Sequence, residues 1–99
     1  MQVIAVNRLK AYWERNPDAE ASLKHWYKIA KAATWKTTKD VQSSFSTAVV
    51  LNAERVRFEV AGGSYRLIVA FRFPKVAFVK FIGTHAEYDK IDALTVSQF

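Results

Sequence analysis

The stretch Arg55-Val56-Arg57-Phe58-Glu59-Val60-Ala61-Gly62-Gly63-Ser64-Tyr65-Arg66-Leu67-Ile68-Val69-Ala70-Phe71-Arg72 decides the architecture. Two runs in which apolar residues alternate with polar ones flank a pair of glycines, and a period of two marks half-buried β-strands. Gly62-Gly63 supplies the positive backbone angles that a two-residue hairpin loop requires. That loop sets Glu59 opposite Arg66 and Arg57 opposite Ile68. One face of the hairpin then carries Arg55, Arg57, Glu59, Arg66, Ile68 and Arg72. The other carries Val56, Phe58, Val60, Tyr65, Leu67, Val69 and Phe71. The second set is core. The first is expected to stay open to solvent, as one face of an antiparallel sheet commonly does.

A further strand is expected over residues 76–82, joined to the hairpin around Pro74-Lys75. A strict two-residue turn there would aim Lys80 into the core. Lysine is rarely buried unpaired, so an odd-length or bulged connection that returns Lys80 to the basic face is expected. Gly83 is expected to end the strand, and Thr84 or His85 to begin a short terminal helix.

Upstream the period changes. Residues 2–6 read as an edge strand or lead-in. Asn7 is a candidate cap for a helix reaching about Asn16, with Leu9, Tyr12 and Trp13 inward. Asn16-Pro17 stops that helix and starts another, since proline is tolerated in a first helical turn. Asp18 and Glu20 suit its positive end. Leu23, Trp26, Tyr27 and Ala30 form one apolar stripe, with Lys24, Lys28 and Lys31 beside it. Thr37-x-x-Asp40 has the form of a capping box for a third helix to about Phe45, and 47–52 is a candidate strand. Helices first and an antiparallel meander after them define an α+β domain, with helices on one sheet face.

The 99 residues suffice for one domain, 1–99, and the composition is that of a packed globule: 51% hydrophobic, 14% aromatic, with 3 glycines and 2 prolines. Cysteine is absent, so disulfides and thiolate metal sites are excluded. No apolar run approaches the ~18 residues of a membrane helix. Asn7, Arg8 and Lys10 interrupt any apolar signal core, which points to a cytoplasmic protein.

A net charge of +6 speaks to partners. Residues 55–80 hold six cations and one acid, Glu59; residues 24–39 hold five cations and no acid. Such clustering is the footprint of a nucleic-acid binder, although a solvated face of scattered cations remains the plain alternative. Arginine's planar fork suits phosphate. His85 and Tyr88, three positions apart, can share one face of a helical turn; both side chains can move protons or stack on a base. Tyr88 could equally be a core plug, and His25 reads as a surface residue. No metal-ligand spacing, phosphate-cradling glycine loop or helix-turn-helix is visible, and the strands carry few exposed aromatics for a single-strand stacking platform.

Gly62-Gly63-Ser64-Tyr65-Arg66-Leu67-Ile68 and Phe81-Ile82-Gly83-Thr84-His85-Ala86-Glu87-Tyr88-Asp89-Lys90-Ile91-Asp92 resemble the HigB family of bacterial type II toxins, within the RelE-like superfamily. Tyr12-Trp13, Pro17-Asp18-Ala19-Glu20 and Trp26-Tyr27 extend the resemblance over nearly the whole chain. The Thr-His-x-Glu-Tyr-Asp element is its most specific part. The chain departs from many relatives at Glu59 and Gly63, where they carry Asn, and at Lys80, where they carry Arg. The resemblance implies a RelE-like fold and an mRNA interferase that cuts messages, usually on ribosomes. It also implies a helix-turn-helix antitoxin of the HigA kind. It carries over Arg66, Lys80, His85 and Tyr88 as catalytic candidates.

Such an enzyme needs no cofactor or metal: the substrate's own 2′-hydroxyl attacks, cations stabilise the phosphorane, and an acid protonates the leaving 5′-oxygen. Arg66, helped by Arg57 or Arg72, would meet the phosphorane. His85 is the leading base or acid, since imidazole titrates near pH ~6.5. Arg55, Arg57 and Arg72 are expected to contact RNA, and Lys24, Lys28 and Lys31 to hold ribosomal RNA from another surface. Two other readings stand beside this one. The chain could be a non-catalytic RNA- or ribosome-binding module, or an interaction domain for an acidic protein.

Overall fold

A computed structural model describes residues 1–99. In chain order the elements are β1 (Gln2–Ile4), α1 (Val6–Arg15), α2 (Pro17–Ala32), α3 (Thr38–Ser44), β2 (Val49–Val50), β3 (Arg55–Val60), a 3₁₀ turn (Ala61–Gly63), β4 (Tyr65–Arg72), β5 (Val76–Thr84) and α4 (His85–Tyr88). The α+β class and the short C-terminal helix are as expected from the sequence. One five-stranded sheet has the order β1-β5-β4-β3-β2, antiparallel except for β1, which pairs parallel to β5 at the edge.

Trp26 of α2 meets Phe58 edge-on at 5.4 Å, and Phe58 meets Phe45 at 5.2 Å. Trp35 meets Phe71 at 5.8 Å. This aromatic cluster, with Leu9, Leu23, Leu67 and Val69 fully buried around it, fixes the helices to the sheet's inner face. Edge-to-face pairs add about 0.5–1.5 kcal/mol each beyond the area they bury.

The β3–β4 register pairs Glu59 with Arg66 and Arg57 with Ile68, as the alternation required. The connection is longer than a two-residue loop. Ala61, Gly62 and Gly63 all have positive φ, at 52°, 69° and 95°, and the 3₁₀ turn with Ser64 bridges Val60 to Tyr65. The alternation survives because the added residues are symmetric about the glycines.

Three local expectations fail for identifiable reasons. Asn7 is not the cap of α1: the helix starts at Val6 from Ala5, with no side-chain cap. The strand foreseen over 47–52 shrinks to Val49–Val50. Asn52 Oδ1 there accepts hydrogen bonds from the Glu54 and Arg55 backbone N–H groups at 2.8 Å each, and this side-chain turn displaces the ladder. Gly83 does not end β5, which continues through Thr84. Thr84 then caps α4 in a capping box with Glu87, while Thr37 and Asp40 form the expected box on α3.

The outer sheet face is not wholly open. Residues 92–99 cross it. Arg55 Nη1 donates to the carbonyls of Ala93 (3.1 Å) and Val96 (2.8 Å). Gln98 then extends the free edge of β5 beyond β1: its N–H donates to Lys80 O, and its Oε1 accepts from Ile82 N–H, both at 2.9 Å. Ile68, expected on the solvent face, is fully buried, and Phe81 is 5% exposed. The middle of this face is therefore buried, with Ile68 and Phe81 paired across β4 and β5.

A β-bulge interrupts the β4–β5 ladder between Ile68 and Val69. Ile68 pairs with Phe81 and Val69 with Val79, so Lys80 is the extra residue. The turn before it spans Phe73–Lys75, an odd number of residues, because Arg72 pairs with Val76. The odd turn alone puts Lys80 on the outer side, and the bulge leaves it without a cross-strand partner.

Gly83, the cross-strand partner of Arg66, packs closely. A β-carbon there would lie 2.7 Å from Phe81 Cζ and 3.2 Å from Glu87 Oε1. Phe81 is buried and packed near the Tyr88 ring, so it cannot swing away freely. Gly83→Ala is therefore expected to cost about 1–3 kcal/mol, read as a melting-temperature fall of about 5 °C or more. An unchanged melt would mean that the Phe81 ring yields.

Candidate functional site

At the hairpin end of the outer face, β3 supplies Arg57 and Glu59, β4 supplies Arg66, and α4 supplies His85 and Tyr88. The Tyr88 ring lies 5.3 Å from the Arg57 guanidinium carbon and 5.5 Å from that of Arg66. Arg57 Nη1 donates to Tyr88 Oη at 3.2 Å. Both cations thus contact one aromatic ring. Phe81 supports the ring at 6.4 Å.

Glu59 ties the two arginines together. Arg57 Nη2 donates to its Oε1 at 3.3 Å, and Arg66 Nε lies 3.0 Å from its Oε2. The second contact is charge attraction without hydrogen-bond alignment: the Nε–H groups of Arg57 and Arg66 are both buried without an acceptor. These side chains are sequestered, Arg66 at 13% exposure, Arg57 at 21% and Glu59 at 22%. Two cations against one anion leave a positive charge uncompensated in partly desolvated surroundings, where it acts more strongly than on open surface. In the sequence Glu59 stood out only as the one acid among the cations of residues 55–80; its register opposite Arg66 was the available signal that it would bridge both arginines.

His85 is held at the same end. Its backbone N–H donates to Ser64 O at 3.0 Å, fastening α4 to the hairpin tip. Its Nδ1 is 3.3 Å from Asp89 Oδ2 in an exposed pair.

The other candidates lie elsewhere. Arg55 is occupied by the tail carbonyls. Lys80 Nζ and the Arg72 guanidinium stand against Phe78, at 5.6 and 5.8 Å from its ring, further along the outer face. Lys24, Lys28 and Lys31 are exposed on α2, across the sheet from the arginines. Lys24 pairs with Glu20 at 2.6 Å. No three His, Asp or Glu side chains converge as metal ligands, and no helix is long and apolar enough to cross a membrane.

A tyrosine cluster borders the site. Tyr65 donates its hydroxyl to Asp18 Oδ1 at 2.7 Å, and Tyr12 packs edge-on against Tyr65 at 5.8 Å. Burial pushes the Tyr12 phenol up to about 12, and Glu87, Tyr65 and Asp18 add to the shift against Arg15. The hydrogen bond to Asp18 chiefly raises Tyr65. A phenol whose folded value is raised stabilises the fold while neutral. That contribution is complete below pH ~10 and is lost as pH climbs towards ~12. Melting temperature is expected to fall over this interval, less steeply in Tyr12→Phe. Equal slopes would remove Tyr12 as a cause.

A basic α+β domain with clustered arginines on its sheet has the architecture of a RelE-like protein. A family model for HigB toxins, described as the RelE-like toxic component of a toxin-antitoxin system, matches residues 19–91, and the chain belongs to that family. Membership makes it the toxic component of such a system and implies an antitoxin partner. No match is found among curated proteins.

Proposed function

We propose that the chain is a cytoplasmic endoribonuclease, acting as a single domain, that cuts messages on translating ribosomes and is neutralised by a helix-turn-helix antitoxin of the HigA kind. The observation that carries this reading is the pair of arginines held against Tyr88. Their Nε–H groups are buried without acceptors, a condition that costs about 1–3 kcal/mol per group and that a phosphate oxygen would relieve after a small shift of Glu59.

The chemistry follows from the groups present. The 2′-hydroxyl attacks the adjacent phosphorus as a base takes its proton; the P–O5′ bond breaks, and an acid protonates the leaving oxygen. The products are a 2′,3′-cyclic phosphate and a 5′-hydroxyl. Arg66 and Arg57 neutralise the phosphorane. The His85 imidazole and the Tyr88 hydroxyl are the proton-transfer groups, and Tyr88 also offers a ring on which a base can stack. In this scheme charge stabilisation falls to the guanidiniums of Arg57 and Arg66. His85 is exposed and only loosely paired, so substrate held in reactive geometry by the ribosome would contribute much of the rate.

The same exposure favours a second reading, in which the face binds RNA without cutting it. Induced expression in a bacterium, with mapping of message 5′ ends and chemical analysis of the cut termini, separates the two. Cleavage with 5′-hydroxyl and cyclic-phosphate ends is expected. A 5′-phosphate and free 3′-hydroxyl would defeat the mechanism, and intact messages would leave the binding reading.

A further inference from the structure

The outer face carries a second aromatic ring flanked by two cations. Phe78 of β5 is half-buried, with the Arg72 guanidinium 5.8 Å and Lys80 Nζ 5.6 Å from its centroid. This repeats the arrangement of Tyr88 with Arg57 and Arg66. The two clusters share one side of the sheet. Arg66 pairs with Gly83 and Ala70 with Phe78, so they lie four residues apart along β4, roughly 13 Å at ~3.3 Å per residue. The buried pair Ile68 and Phe81 lies between them.

Several features fit this second cluster to a nucleotide. Open grooves flank Phe78 on both sides. One, of about 470 Å³, is lined by Glu54, Ala70, Phe71, Arg72 and Phe73. The other, of about 170 Å³, is lined by Ile4, Arg8, Lys80 and Phe99. Ile4 and Phe99 are 39% and 41% exposed, an apolar rim beside two cations. Arg8 itself stands 5.1 Å from the Phe99 ring. Neither Arg72 nor Lys80 has a carboxylate within ion-pair distance, unlike Arg57 and Arg66 with Glu59. Phe78 and Lys80 stand two positions apart on β5, and the ammonium lies beside the ring. A base needs an aromatic face, and its phosphate needs unpaired cations nearby. Phe78, Arg72 and Lys80 offer both.

We propose that Arg72, Phe78 and Lys80 form a second subsite for single-stranded RNA, stacking a base on Phe78 and holding the adjacent phosphate between the two cations, at a fixed remove from the phosphate that is cut. The inference rests on the RNA reading given above and assigns Lys80 to substrate binding instead of catalysis. It also explains how a sheet with few exposed aromatics can grip a single strand: one ring at each end of the face suffices when the buried middle is left to be spanned.

The test is steady-state cleavage of a defined message on purified ribosomes by the wild type and by Phe78→Leu, Phe78→Trp and Arg72→Gln. Stacking on an aromatic side chain tightens the binding of a base by roughly tenfold. Phe78→Leu is therefore expected to raise KM about tenfold with kcat within about twofold, Arg72→Gln to raise KM by a smaller factor, and Phe78→Trp to keep the wild-type KM. An unchanged KM in Phe78→Leu overturns the subsite, as does a loss confined to kcat. Equal losses in the Leu and Trp variants mark Phe78 as structural and overturn it too. If the wild type cuts nothing, the readout becomes anisotropy of a short fluorescein-labelled single-stranded RNA. Weaker binding by Phe78→Leu than by wild type then upholds the subsite without the nuclease, and no binding by wild type removes both.

Discussion

Replacing Arg66 by alanine is expected to abolish toxicity and to slow message cleavage by about 10²–10³-fold, the usual effect of removing one preorganised charge-stabilising donor. Arg66 is the most sequestered cation of the site, at 13% exposure, so its field is the least screened by water. The fold should survive the change. Glu59 keeps Arg57 as its partner at 3.3 Å, so no carboxylate is stranded, and Tyr88 keeps one of its two flanking guanidiniums. What is lost is one cation–π contact and one charge attraction at partial exposure, together on the order of 1 kcal/mol. Arg66→Lys should recover little, because an ammonium cannot present two parallel donors to a phosphate. Single-turnover cleavage, dose-dependent growth arrest and a thermal melt check the expectation together. A well-folded Arg66→Ala protein that arrests growth at the wild-type dose would take Arg66 out of the site.

Placing Arg57 and Arg66 on one face required only the period of two on either side of Gly62-Gly63. That period resists the actual turn geometry, since slipping the register by one residue would put Phe58 and Leu67 into water. The α4 start was legible to within a residue, at Thr84 or His85; the structure decides it, with Thr84 as the cap and Glu87 closing the capping box. What lay outside the sequence pattern was the roof over the sheet. Residues 92–99 form neither helix nor strand, and their contacts with Arg55 span 38 and 41 positions. No local periodicity encodes such contacts, so Arg55 read as solvent-facing when the tail engages it; Ile68 read so too, and it is buried. The position of Lys80 was reached through an energetic argument about burying charge. The same argument said nothing about which ring the ammonium would meet; in the structure it is Phe78, two positions before it on β5.

Tyr88→Phe and His85→Gln are expected to melt near the wild type and to cleave about 10²–10⁴-fold more slowly, the range for losing a general acid or base. Tyr88 is not the core plug its sequence position allowed. It is half-buried, stands outside the main core cluster, and presents its hydroxyl to Arg57 Nη1. A buried aromatic truncated to alanine would cost about 3–5 kcal/mol. Phenylalanine keeps the ring between Arg57 and Arg66 and removes only the hydroxyl, so stacking and folding persist while proton transfer does not. His85 is 54% exposed and its pair with Asp89 is on the surface, so glutamine should change stability by no more than about 0.5 kcal/mol. Glutamine retains hydrogen bonding and loses titration. A slow, stable pair of variants assigns proton transfer to α4. A pair that cleaves at the wild-type rate leaves the chemistry to Arg57, Arg66 and the substrate's own geometry. In that case the Thr84-to-Asp89 element serves to cap α4, bind Ser64 through the His85 backbone, and hold an aromatic ring between two arginines.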